Sequence, residues 1–160
     1  MNLNYNNFFK ATSFITSVVV FFSFFLEYYF ALTPCKLCLI QRYLWIFFTF
    51  FCYIAVLQKS LKNLITSLSI LFIVAILLTS FYHSIIEAGV IENIFACSSA
   101  AGLDAKSIEE LSEVILNTKN NDCEFPKFSI YGITLANLGV LLSLIILTFN
   151  LLLLRKLLSL

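Results

Sequence analysis

The chain has 160 residues, of which 61% are hydrophobic, 16% aromatic and 12% charged, with a mean hydropathy of +0.96. Soluble domains run near half apolar and a quarter charged, so a water-soluble globule of this size is excluded: it could not hide so much apolar surface. Ten Lys+Arg against nine Asp+Glu leave a net charge of +1, which gives no basis for nucleic-acid binding or any other bulk electrostatic partnership.

Four stretches are long and apolar enough to cross a bilayer, which takes about 20 residues. Ala11–Leu32 is broken only by Glu27, Leu39–Leu57 only by Arg42, and Leu64–Tyr82 and Ile133–Leu154 carry no charge. In hydrocarbon each backbone N–H and C=O must be satisfied within its own segment, which makes all four helices rather than strands. The expected fold is an all-α membrane protein, a four-transmembrane-helix bundle forming one domain over residues 1–160. A short first loop (33–38) and a long second one (83–132) lie on one side.

Charge sets the orientation. The side with both termini holds Lys10, Lys59, Lys62, Arg155 and Lys156 and no acidic residue; the other holds Lys36, Lys106, Lys119 and Lys127 with eight carboxylates. The positive-inside rule places the termini in the cytoplasm and the two loops outside. Cleavage of the first span as a signal is disfavoured, because Pro34 directly precedes Cys35 and the apolar run exceeds an h-region. In the long loop, Asp104–Asn117 reads as a short amphipathic helix with Ile108, Leu111, Val114 and Ile115 on one face. Such a helix either packs the loop onto the bundle or docks a partner.

Four of the five cysteines fall on the outer, oxidising side, where thiols pair. Cys35 and Cys38 form a C-x-x-C between the first two spans; Cys97 and Cys123 lie in the long loop. Three pairings are open, and adjacency favours Cys35–Cys38 with Cys97–Cys123. Arg42 lies four residues after Cys38, one turn along the same face if the second helix begins near Cys38. A helix N-terminus and a nearby guanidinium both favour the Cys38 thiolate. A charged Arg near hydrocarbon needs a partner or a function, or it snorkels to the interface. Glu27, about two turns inside the first span, either pairs with Arg42 or reaches the headgroups.

His83, the single histidine, ends the third span on the outer side. Cys52 lies 14 residues beyond Cys38, about 21 Å down the helix, and is expected to be a buried, inert thiol. A Cys97–Cys123 bridge has two readings. It can brace the loop, by about 3–4 kcal/mol on the chain-entropy estimate, or its small, polar surroundings can expose it to thiolate attack. A zinc site of four outward cysteines is disfavoured by the wide spacing of the second pair and by the oxidising compartment.

In order, spacing and topology these features resemble the DsbB family of bacterial inner-membrane disulfide-generating proteins. The resemblance covers nearly the whole chain. It rests on Pro34-Cys35-Lys36-Leu37-Cys38-Leu39-Ile40-Gln41-Arg42, Tyr82-His83, Cys97 with Cys123, and Cys123-Glu124-Phe125-Pro126 followed by Tyr131-Gly132-Ile133-Thr134-Leu135-Ala136-Asn137. Gln41 departs from the acidic residue associated with the place before the Arg.

The resemblance implies an enzyme that oxidises a DsbA-like periplasmic thioredoxin-fold partner and passes the electrons to a membrane quinone, ubiquinone or menaquinone. It casts Cys97 as the sulfur attacked by the reduced partner, Cys123 as the sulfur that next attacks Cys35, and Cys38 as the thiolate facing the quinone. Arg42 and His83 become quinone-binding residues. The competing reading is a small membrane subunit whose outer disulfides only brace its loops; such disulfides resist mild reductant and turn nothing over.

Overall fold

The computed structural model describes residues 4–31, 34–58, 60–91, 129–130 and 133–159. Among these, four helices are long and apolar enough to span a membrane: α1 (Tyr5–Phe30), α2 (Lys36–Leu57), α3 (Lys62–Glu87) and α4 (Leu135–Leu158). Two short antiparallel strands, β1 (Ser129–Ile130) and β2 (Ile133–Thr134), pair Ser129 with Thr134 and Ile130 with Ile133 just ahead of α4. The protein is a four-helix membrane bundle. Cys97, Cys123 and the amphipathic stretch Asp104–Asn117 lie outside the described residues.

The side-chain pattern inverts that of a soluble bundle. Phe21, Phe50, Leu71 and Leu141 are exposed on the outer faces, while Thr16, Thr66, Ser69, Ser143 and Asn150 are buried between helices. Lipid is as apolar as Leu, so large aliphatics gain nothing by hiding; small and hydroxyl-bearing residues let helices approach and hydrogen-bond. The Ser69 hydroxyl donates to Asn150 Oδ1 at 2.8 Å and ties α3 to α4. Tyr5 donates to the Ala55 carbonyl at 3.1 Å and ties α1 to α2.

The helices pack in the order α1–α2–α3–α4, with no comparable contact between α1 and α4. That leaves a seam between the first and last helices. Helix ends depart by a few residues from the apolar runs in the sequence, and two departures matter. α2 starts at Lys36 because Pro34 cannot donate and Cys35 serves as N-cap, its sulfur accepting the Cys38 N–H at 3.3 Å. α3 continues past Tyr82 to Glu87, so His83 and Glu87 stand one turn apart on one helix face rather than opening a loop.

Candidate redox site at one end of the bundle

The start of α2 and the end of α3 meet at the same end of the bundle. Cys35 is buried there with Leu37 and Ile86, against which Cys38 and Tyr82 pack. Cys35 and Cys38 are present as thiols, not joined in a disulfide, with their sulfurs 3.1 Å apart. His83, 2% exposed, aims Nε2 at both, 3.7 Å from Cys35 Sγ and 3.9 Å from Cys38 Sγ. The sequence places His83 at the outer end of the third span; the structure sets it against the sulfur pair.

The imidazole is held at its Nδ1 edge. Gln41 donates through Nε2 to Ser80 Oγ at 2.9 Å, which turns its Oε1 toward His83 Nδ1 at 3.4 Å. With Oε1 as acceptor, Nδ1 carries the proton and Nε2 presents its lone pair to the thiols. Gln41, noted in the sequence only as a departure from a family pattern, therefore orients the ring. On the Nε2 side, Glu87 Oε1 lies 3.5 Å away. Glu87 escaped the sequence reading altogether, although the H-x-x-x-E spacing of His83 and Glu87 on a helix was a signal for it.

Arg42 differs from expectation. It follows Cys38 by one turn, yet all its hydrogen bonds run to α1: to the Glu27 carboxylate, from Nε to Ser23 Oγ at 2.8 Å, and to the Ser23 carbonyl at 3.4 Å. Its guanidinium also lies over the Phe24 ring, 4.7 Å from the centroid. Of the two fates open to Glu27, the structure shows pairing with Arg42. A charge pair this far into the apolar belt offsets the cost that either charge alone would incur. Its neighbours make Arg42 a wall of the adjacent cavity instead of a contact of the Cys38 sulfur.

That cavity, of about 190 Å³, lies along the α1–α4 seam. Val19, Val20, Phe22, Trp45, Leu138 and Leu142 give it apolar walls; Ser23, Cys38, Gln41, Arg42 and His83 bring polar atoms to one end. Gly139, in its wall, leaves room for the Gln41 amide: a Cβ there would collide with Gln41 Nε2 and lie 3.1 Å from Ser80 Oγ. Ser84 donates to Asn137 Oδ1, fixing α3 against α4 beside it. Cys52 is elsewhere, fully buried in the core cluster of Tyr5, Phe48 and Ala55.

A membrane bundle with a dithiol, an imidazole and a largely apolar cavity at one end has the groups that a membrane thiol oxidoreductase needs. The family model for Disulfide bond formation protein DsbB matches residues 6–153, and the chain belongs to that family of membrane disulfide-forming proteins. It is also similar to the uncharacterized protein RP370 of Rickettsia prowazekii (strain Madrid E), at 27% identity over 124 residues, 77% of this chain and 72% of that one. No solved structure matches the chain.

Proposed function

We propose that the protein, lying in a bacterial inner membrane with both termini cytoplasmic, reoxidises a DsbA-like periplasmic dithiol protein and delivers the electrons to a membrane quinone. One observation carries this reading: Cys38 and His83 of the Cys35–Cys38–His83 cluster line a cavity whose other walls are mostly apolar, a setting suited to an oil-soluble electron acceptor.

The sulfur steps balance as exchanges. A partner thiolate attacks Cys97 of a Cys97–Cys123 disulfide and Cys123 leaves as thiolate. Cys123 attacks Cys35 of a Cys35–Cys38 disulfide and Cys38 leaves. The partner's second thiol closes its own disulfide and frees Cys97. Cys97 then recaptures Cys123, and Cys35 is released as a thiol. The partner is oxidised, the loop pair restored, and two electrons rest on Cys35 and Cys38.

The cavity suits a quinone head group, with apolar walls for a ring and chain and Arg42, Gln41 and Ser23 for oxygens. A bound quinone supplies a two-electron, two-proton acceptor. The chain's own residues do the rest. Helix α2 presents Cys38 at its N-terminal end, where the dipole favours an anion. His83 Nε2 takes the thiol proton, and Gln41 holds the ring in the tautomer that can. Arg42, anchored by Glu27, contributes positive charge to the cavity wall.

The test is turnover of a reduced thioredoxin-fold dithiol by the purified protein with added quinone, with thiol trapping of Cys35, Cys38, Cys97 and Cys123. Cycling of all four with quinone consumption is expected, and Cys38→Ser abolishes it. Loop disulfides that stay locked while a client is oxidised would overturn the proposal in favour of the bracing subunit.

A further inference from the structure

We propose that the reduced site also binds a thiophilic divalent cation such as Zn²⁺, held by Cys35, Cys38 and His83 with the Glu87 carboxyl group beside the imidazole to balance its charge, and that the ion locks the sulfur pair in its dithiolate form. The regulatory consequence rests on the function proposed above; the binding itself does not. This site differs from a four-cysteine one, since it uses neither loop cysteine.

Three donor atoms, Cys35 Sγ, Cys38 Sγ and His83 Nε2, lie within 4.8 Å of one another. Zinc bonds of about 2.3 Å to sulfur and 2.0–2.1 Å to nitrogen, in a tetrahedron, separate two thiolates by about 3.8 Å and a thiolate from an imidazole nitrogen by about 3.5 Å. The observed sulfur–nitrogen separations are 3.7 and 3.9 Å and the sulfur–sulfur separation is 3.1 Å. Three vertices of the tetrahedron are therefore nearly in place, short of a small opening of the sulfur pair. Metal-bound histidines characteristically give their other ring N–H to a carbonyl or carboxylate. Gln41 Oε1 occupies that place on His83 Nδ1.

The independent pointer is Glu87. Its side chain is 10% exposed, its Oε1 lies 3.5 Å from the same His83 Nε2, and its Oε2 has no hydrogen-bond partner. It sits in the last turn of α3, where the helix dipole disfavours a carboxylate. A carboxyl group with an orphaned oxygen, set beside the imidazole at the end of a helix whose dipole repels it, is placed to balance a cation held by that imidazole and the sulfur pair. With an ion bound, two thiolates, a carboxylate and a neutral imidazole surround a charge of two.

Binding exchanges protons for metal: one Zn²⁺ enters, two thiol protons leave to solvent, and no electron moves. A Cys35–Cys38 disulfide offers no thiolate, so the site exists only in the reduced state. The ion and the electron acceptor then compete for the same sulfurs, and metal slows reoxidation when the reduced pair accumulates.

The experiment uses the full-length purified protein with Cys97→Ser and Cys123→Ser, compared as dithiol and as Cys35–Cys38 disulfide. Co²⁺ is the optical probe and Zn²⁺ the competitor. The dithiol form is expected to bind one Co²⁺ per chain with the intense visible bands of tetrahedral thiolate coordination, which Zn²⁺ bleaches; the disulfide form gives none. Glu87→Gln and Gln41→Ala weaken binding about 10–100-fold, and Cys38→Ser removes the thiolate bands. Absence of those bands in the dithiol form, a comparison that needs no variant of the site, overturns the proposal. So does an affinity unmoved by both His83→Ala and Glu87→Gln. Turnover of the unmodified chain in chelator is scored separately: turnover without Co²⁺ binding sinks only the metal site, and binding without turnover sinks only the oxidase.

Discussion

Helix α2 holds two thiol environments. At its N-terminus Cys35 and Cys38 share an imidazole that also faces a carboxyl group, and Cys38 lines a cavity. Further along the same helix Cys52 is fully buried among Tyr5, Phe48 and Ala55, with no base beside it. The residue type is the same and the surroundings decide its chemistry: a thiol needs help to become a nucleophile, through a helix terminus, a base or a cation. The comparison also shows how a membrane bundle can set two thiols in unlike surroundings along one element. The middle is packed by hydroxyls and rings, and the N-terminal end is where packing gives way to the α1–α4 seam.

The sharpest way to break that contrast is to exchange the two sites. Cys38→Ser should reduce client oxidation to background, while Cys52→Ser leaves the rate per folded molecule unchanged; equal losses would erase the distinction. Next in size is His83→Ala, expected to lower the alkylation rate of Cys38 by iodoacetamide, and turnover with it, about 100-fold or more. Cys52 labelling in the same protein should not move, which makes it the internal control.

Much of this was legible in the residues. The four apolar runs announce the spans because the bilayer asks for length and apolarity and little else. Cys35 and Cys38 announce themselves by spacing. What the sequence left open was partner choice, with Glu27 pairing to Arg42 as one of two readings. Arg42 sits one turn from Cys38, and adjacency alone argues for contact, yet the guanidinium turns to Glu27 and Ser23 on α1. That depends on how α1 crosses α2, which no local pattern encodes. Gln41 and Glu87 were hidden for a related reason. One reads as a polar substitution and the other as a loop carboxylate until α3 is seen to run five residues beyond the apolar stretch, to Glu87.

Arg42 provides a mid-sized test that sharpens the comparison from the cavity side. Arg42→Ala leaves the partly buried Glu27 carboxyl group without its cation and lowers stability, read as a lower unfolding temperature in detergent. Because Arg42 lines the cavity and makes no hydrogen bond to Cys38, the same variant should raise the quinone KM severalfold and leave Cys38 alkylation nearly unchanged. A collapse of alkylation instead would mean that the guanidinium, rather than His83, sustains the thiolate.

Gly139 gives the smallest effect and the most specific one. A methyl there meets Gln41 Nε2, and the amide can yield only by leaving Ser80 Oγ, which frees Oε1 from His83 Nδ1. The substitution therefore reaches the sulfur pair through two intermediaries, and it also trims the cavity. Gly139→Ala should raise the quinone KM a few-fold and lower Cys38 reactivity by a similar factor. A second change, Gln41→Ala, makes room for the methyl, and in that background Gly139→Ala should no longer affect Cys38. If the Gly139→Ala effect on Cys38 persists there, the ring is held by something other than the Gln41 amide, and the reactive end of α2 owes its chemistry to His83 and Glu87 alone.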